Sequence, residues 1–247
     1  MNVGIDVGYS ATKAVAGPDR MVTFPSVVGT PDRARFAVGG ADGHNILDLP
    51  GDGIFLIGEG AVAQSRFVDR REDRGCIASN LYHRLMLAAF TELTAATWCE
   101  LVVVTGLPVT FYSTDRDTLR DRFLGHHRAA KEGRRAQTFQ VTECRVIPQP
   151  FGALLAEALN DQGRIVNHGL ATGAVGVIDV GGKTTNLLSV NRLAEIGRET
   201  TSINLGVWDV ARAAREYLTS HYPDLDLRDH QVIDAIVERR VKYFGTT

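Results

Sequence analysis

Short apolar runs and longer segments of helical periodicity alternate along most of the chain. Val3-Gly4-Ile5-Asp6-Val7 reads as a strand running into a turn, and Thr12–Ala16 and Met21–Phe24 continue it as an expected meander. Residues 29–53, rich in Gly, Asp and Pro, read as loops and small strands before a further strand at Ile54–Gly58. The clearest helix is expected over Ser79–Thr97, with Ser79 as N-cap and Leu81, Leu85, Ala88, Ala89 and Leu93 at helical spacing. Leu101–Thr105 is an apolar, β-branched run of the kind buried in an α/β sheet. A charged helix follows at Asp115–Leu124. The basic stretch Arg128–Arg135 reads as a solvated hairpin or loop, Phe139–Ile147 as a strand and Phe151–Leu159 as an apolar helix. The pattern then restarts: strands at Ala174–Val180 and Thr185–Val190, helices at Val207–Tyr222 and Gln231–Tyr243. Strands alternating with helices predict an α/β fold.

The restart is also a repeat of residues. Ile5-Asp6-Val7-Gly8-Tyr9-Ser10-Ala11-Thr12-Lys13 aligns with Ile178-Asp179-Val180-Gly181-Gly182-Lys183-Thr184-Thr185-Asn186, with Ile, Asp, Val, Gly and one Thr coincident. The copies lie much further apart than the roughly 20–50 residues of a solenoid repeat. They predict two similar halves, each opening on an Asp-x-Gly turn between strands. A strand ending in Asp sets a carboxylate at a loop mouth, where it can hold a divalent cation through waters. Glycines there let successive backbone N–H groups converge on phosphate oxygens. Hydroxyls at Ser10, Thr12, Thr184 and Thr185 and the cations of Lys13 and Lys183 complete a set able to grip a polyphosphate from two sides. A single such turn is ordinary; its duplication in matching strand contexts is what points to chemistry. Neither GxxxxGK[ST] nor a GxGxxG fingerprint is present.

Composition narrows the field. With 247 residues, 44% hydrophobic and 23% charged, the chain has the make-up of one large or two small globular domains, which excludes disordered, collagen-like and coiled-coil readings. No apolar stretch approaches the ~20 residues of a membrane-spanning helix. The opening residues lack a basic and an apolar region, so no signal peptide is expected. Cys76, Cys99 and Cys144, odd in number and far apart, fit a reducing compartment. A net charge of −2 argues against extensive direct contact with DNA. Glycine, at 25 residues, exceeds the usual ~7% without any low-complexity tract, which places it in specific tight loops.

These motifs resemble those of the actin, heat-shock chaperone and sugar kinase superfamily. Residues 3–13 are similar to its first phosphate motif, 175–190 to its second, and Val146–Ala153 to its first connecting segment. Leu107-Pro108-Val109-Thr110-Phe111-Tyr112 and Ser202-Ile203-Asn204-Leu205-Gly206-Val207 resemble segments of the bacterial plasmid-segregation actins of the ParM/StbA type. The resemblance implies duplicated ribonuclease H-like lobes around a nucleotide cleft. The first would span 1–158, with a small subdomain near 25–75, and an incomplete second would span 159–247. It implies that Asp6 and Asp179 hold Mg²⁺. It places Gly8, Tyr9, Ser10 and Lys13 on one side of the ATP phosphates and Gly181, Gly182, Lys183 and Thr184 on the other, with Gly206 near the nucleotide. Gln149 matches the position that orients the attacking water; an amide positions water rather than deprotonating it. Its other reading is a polar residue capping the following helix. Asn186 stands where many relatives have Asp, and no glycine-rich adenosine motif follows Gly206. The implied function is a cytoplasmic ATPase that polymerises into filaments and engages DNA through a DNA-bound adaptor, with no direct nucleic-acid or membrane contact. A metabolic kinase or phosphohydrolase on the same scaffold, and a non-catalytic nucleotide-binding scaffold, remain alternatives.

Overall fold

A computed structural model describes residues 1–31, 45–65, 68–69, 74–225, 227 and 229–241. The meander expected at the start is present: β1 (Asn2–Val7), β2 (Ala11–Val15) and β3 (Met21–Pro25) pair antiparallel in sequence order. Short strands β4 (Val28–Gly29), β5 (Asn45–Leu49), β6 (Gly53–Ile57) and β7 (Val68–Asp69) follow, with helix α1 (Glu59–Gln64) between the last two. Of the region expected as loops, residues 32–44 lie outside the described residues. Next come α2 (Asn80–Leu93), β8 (Trp98–Leu107), α3 (Val109–Phe123), the hairpin β9 (Gly125–Lys131) and β10 (Gln137–Pro148), and α4 (Gln149–Ala158). They form one sheet in the order β3-β2-β1-β8-β10-β9-β5-β6-β4-β7. Strands β1, β8 and β10 are parallel, so each needs a crossover; α2 and α3 provide them.

Helix α2 is the centre of the first lobe. Ser79 caps it, its hydroxyl accepting from Tyr82 N at 3.2 Å. Leu81, Tyr82, Leu85–Phe90 and Leu93 are all buried, on nearly every side of the helix, as fits a helix enclosed by sheet on several faces. Phe90 packs against Phe123 of α3 and Phe139 of β10 with ring centroids 6.4 and 5.5 Å away. The helix stops at Leu93 rather than Thr97 because the buried Gln137 amide donates to the carbonyls of Thr94 (2.7 Å) and Ala96 (2.9 Å), holding that segment extended for entry into β8. In β8, Leu101 and Val103 are fully buried in the core that they share with α2, whereas Val104 is 37% exposed, so the strand is not buried on both faces as its composition implied; α3 and α4 are the helices that touch it. The basic stretch runs from the second half of β9 into the β9–β10 turn, with Ala129 and Ala130 of the strand buried.

The second lobe opens with α5 (His168–Thr172), then β11 (Ala174–Val180), β12 (Thr185–Asn191), β13 (Ala194–Glu195) and β14 (Thr201–Ile203), followed by α6 (Val207–His221) and α7 (Asp229–Glu238). β11 pairs antiparallel with β12, and β12 with β14, repeating the β1-β2-β3 meander. The helix expected over Gln231–Tyr243 begins two residues earlier and ends at Glu238, where Arg239 turns left-handed (φ 54°). Helix α4 links the two halves: it begins at the first sheet, and its Leu154 is buried with Leu188 and Val190 of β12. Among the described residues no helix is long and apolar enough to cross a membrane.

Candidate functional site

The sequence repeat is a structural repeat at hydrogen-bond resolution. Asp6 stands opposite Lys13 and Val7 opposite Thr12, as Asp179 stands opposite Asn186 and Val180 opposite Thr185. Each turn closes on the same bond: Gly8 N donates to Ala11 O at 3.1 Å and Gly181 N to Thr184 O at 2.9 Å. A Cβ on either glycine would lie 3.0 Å from that same carbonyl. The threonines that follow are both anchored behind the loop. Thr12 Oγ1 lies 2.9 Å from Ser26 Oγ, and Thr185 Oγ1 donates to Leu205 O at 2.7 Å.

The two turns face each other across a cleft of about 230 Å³. Asp6, Gly8, Tyr9, Ser10, Lys13, Gln149, Asp179, Gly181, Gly182 and Thr184 line it together, ten of the residues singled out by sequence. Ala11, Val180, Asn186, Val207, Trp208 and Ile233 complete the wall. The lobes nearly touch at its rim: a Cβ at Gly182 would meet Ser10 Cβ at 3.0 Å and Trp208 Nε1 at 2.7 Å. Four of the residues singled out by sequence are placed elsewhere: the Thr12 and Thr185 hydroxyls, expected to donate to phosphate, are buried in the bonds behind the loops, and Lys183 and Gly206 lie outside the cleft lining. Lys183 Nζ sits 6.0 Å from the Tyr9 ring centroid, joining the two turns from outside the cleft lining. Gly206 lies behind the second turn, where its backbone presses against Gly181 and Gly182. The first amides of α6 secure that packing: Val207 N donates to Gly181 O (3.0 Å) and Trp208 N to Gly182 O (2.9 Å), while Asp209 Oδ2 accepts from Gly206 N at 2.9 Å.

Gln149 is the first residue of α4, and its side chain reaches back to the first sheet, Nε2 donating to Asp6 Oδ1 at 2.8 Å. It does not cap its own helix. Gly106 at the end of β8 makes that reach possible, since a Cβ there would meet Gln149 Cγ at 2.8 Å. Burial raises the Asp6 carboxyl above its ordinary pKa; the Gln149 bond and the Lys13 cation oppose this, and the Asp179 carboxylate across the cleft adds to it. A second, largely apolar cavity of about 390 Å³ shares Asp6, Lys13, Gln149 and Asp179 with the cleft and continues over Val15, Met21 and Val104. The glycine turns lie in the smaller cleft, so that is where phosphate chemistry has its donors.

The donor set fits a hydrated hard cation. Among the described residues no three His, Cys, Asp or Glu side chains gather to hold a metal. Two carboxylates, one from each lobe, face the cleft beside loops whose glycines leave little space for a Cβ. Magnesium is commonly held by one or two carboxylates together with waters and substrate phosphates. A cation would also relieve the mutual opposition of Asp6 and Asp179.

A meander-opened α/β lobe, a second copy of its hairpin, and a connecting helix that starts at the cleft define a protein of the actin-like fold. Residues 4–152 match the family described as actin like proteins N terminal domain, and the chain belongs to that family. The archaeal actin homolog of Thermoplasma acidophilum is 27% identical over 233 residues, covering 85% of this chain and 64% of that protein. The chain thus spans less than two thirds of that relative's length. Among solved structures, the archaeal actin homolog Ta0583 in complex with ADP matches with a TM-score of 0.76 at 22% identity, over 99% of this chain and 73% of its own. A 15-stranded ParM filament from Clostridium botulinum matches with a TM-score of 0.75 at 19% identity, over 99% and 76%. These two likenesses are of fold.

Proposed function

We propose that the chain binds a Mg²⁺–nucleoside triphosphate, with ATP as the nucleotide, between its two Asp–Gly turns and hydrolyses it slowly as part of a filament-forming cycle. The observation that carries this reading is the duplicated hairpin, matched in register and turn hydrogen bond and turned inward from both lobes. The ADP bound by one relative and the filament formed by another support it.

The bound Mg²⁺–ATP would supply the reacting phosphate and the charge that neutralises it. The chain's own part is positioning. Backbone N–H groups at Tyr9 and Ser10, and at Gly182 and Thr184, grip phosphate oxygens from opposite sides, while the Gly8 and Gly181 amides close the turns that present them and Lys13 adds charge. Asp6 and Asp179 hold the hydrated cation. Gln149, its Nε2 committed to Asp6, offers Oε1 to a water and orients it toward the phosphate. Phosphoryl transfer is catalysed largely by such positioning and electrostatics, so an amide suffices where a carboxylate base is absent. We extend the reading to DNA segregation through a DNA-bound adaptor. The net charge of −2 favours indirect engagement over a basic DNA-binding face.

Light scattering and phosphate release, measured together at high protein concentration with ATP and Mg²⁺, test the proposal. Polymer that forms with ATP and turns over with phosphate release is expected. Nucleotide binding without hydrolysis or polymer would replace it with the scaffold reading, and turnover stimulated by a small hydroxyl substrate would replace it with the kinase reading.

A further inference from the structure

Helix α3 belongs to the first lobe, yet its first turn is capped by the second. It starts directly after Pro108, which gives no side-chain cap. Its first amides need partners. Val109 N donates to Asn186 Oδ1 and Thr110 N to Ser202 Oγ, each at 3.3 Å. These acceptors sit on β12 and β14, and Ser202 Oγ donates to Asn186 Oδ1 at 2.7 Å. On its other side Asn186 Nδ2 donates to Asp179 Oδ2 at 3.3 Å. The Asn186 side chain is 1% exposed, so its bonds are not shared with bulk water. One amide therefore holds a cleft carboxylate with its N–H and the neighbouring lobe's helix with its oxygen. An aspartate there could serve only as acceptor, so the N–H side of this arrangement is open to asparagine and not to its acid.

We propose that Asn186 is a positioning residue that couples Asp179 to the seating of α3, so that occupancy of the cleft by a metal–polyphosphate is transmitted to the N-terminus of a helix in the other lobe. The clasp itself is independent of the functional reading above; the transmission rests on that reading, because it needs Asp179 to meet the ligand. Coupling of this kind is reciprocal: loosening α3 from the second lobe weakens the arrangement of Asp179, and fixing Asp179 tightens the α3 cap.

Hydrogen exchange at the Val109 and Thr110 amides of the full chain, without ligand and with Mg²⁺ and ATP, tests both parts. In the ligand-free protein Asn186→Ala should speed Val109 exchange roughly tenfold or more and Ser202→Ala should do the same at Thr110, while the α2 amides stay protected. Mg²⁺–ATP should slow both amides further in the wild type. Asn186→Asp is the discriminating variant. Its oxygen still accepts from Val109, so basal protection should persist; it has no N–H for Asp179, so the response to Mg²⁺–ATP should be lost. A merely structural asparagine would lose or keep both together. Unchanged Val109 exchange in Asn186→Ala, or a full ligand response in Asn186→Asp, would overturn the proposal. Should the wild type bind no Mg²⁺–ATP by calorimetry, the functional reading and the transmission fail, and the ligand-free exchange still decides the clasp.

Discussion

Gly206→Ala isolates the link between fold and phosphate loop in a single atom. The Gly206 backbone is extended (φ −148°), so alanine meets no conformational penalty there. The effect is one of space. The added Cβ would lie 2.7 Å from Gly181 O and 2.6 Å from the Gly182 carbonyl carbon, with Gly182 O nearer still. Ordinary contact begins near 3.4 Å, so relieving the nearest of these contacts moves the second turn by roughly 1 Å. That retreat stretches the bonds from Val207 N to Gly181 O and from Trp208 N to Gly182 O, now 3.0 and 2.9 Å, toward the limit of useful hydrogen bonding. Two weakened bonds at about 1 kcal/mol each, with overpacking of about 1–2 kcal/mol, give a destabilisation of about 2–4 kcal/mol. A loop displaced by that distance should also hold Mg²⁺–ATP at least tenfold more weakly, since alignment errors near 1 Å cost about 100-fold in well-positioned sites. Urea unfolding and titration calorimetry measure the two effects. Gly176→Ala is the control, because nothing lies within 4 Å of a Cβ there. Wild-type stability and affinity in Gly206→Ala would refute the packing of Gly206 on the turn.

Two further perturbations address separate parts of the molecule. Gln149→Ala should lower the hydrolysis rate by about 10–100-fold while nucleotide affinity changes by less than about threefold, read by single-turnover kinetics beside calorimetry; equal loss in both would make Gln149 a binding residue only. The second concerns His83 of α2 and His127 of β9, whose facing ring nitrogens lie 3.3 Å apart. His127 Nε2 donates to Phe123 O at 2.7 Å, which leaves Nδ1 to accept from His83. Burial, the partner ring and the Arg122 cation push His83 down to about 4, with Arg84 acting the same way and Asp52 opposing; burial also lowers His127, where Arg122 and His126 add to the fall and the Phe123 carbonyl opposes it. A histidine whose pKa is lower folded than unfolded leaves stability intact above the unfolded value and removes it as pH falls from about 6.5 toward 4. The loss, after allowance for solvent around the half-buried ring, should be about 2 kcal/mol. Denaturant melts from pH 7.5 to 4.5 should show it and His83→Gln should flatten it; a flat wild-type profile would contradict the buried pair.

What was legible in the sequence was mostly local. Ile5-Asp6-Val7-Gly8 and Ile178-Asp179-Val180-Gly181 carry the strand, the carboxylate and the tight turn within a few residues, and the structure repeats them bond for bond. Non-local partners were hidden. The start of α3 at Val109 was missed because its cap comes from Asn186 and Ser202, 77 and 92 residues away. The end of α2 was misjudged because Gln137, arriving from β10, takes the carbonyls beyond Leu93. Trp208 and Ile233 line the cleft without any signal in their own segments, since α6 and α7 bring them there by tertiary packing. Gly106 could have been found: a glycine directly after a β-branched run and before Leu107-Pro108 marks a place where another backbone or side chain approaches. Asn186 was visible as a departure from the usual aspartate, but its two-sided hydrogen bonding emerges only from the assembled lobes.

The claim on which the rest depends is that the two turns form one metal-dependent phosphate clamp. Titration calorimetry with ATP and with inorganic tripolyphosphate, each with Mg²⁺ and with EDTA, tests it directly on the wild type and on Asp179→Ala, with circular dichroism to verify the fold. Tripolyphosphate removes any dependence on adenine contacts. Binding of both ligands at least tenfold tighter with Mg²⁺, and loss of that difference in a folded Asp179→Ala, is the result predicted. Equal affinity with and without Mg²⁺, or an Asp179→Ala variant that retains the full Mg²⁺ effect, would contradict it.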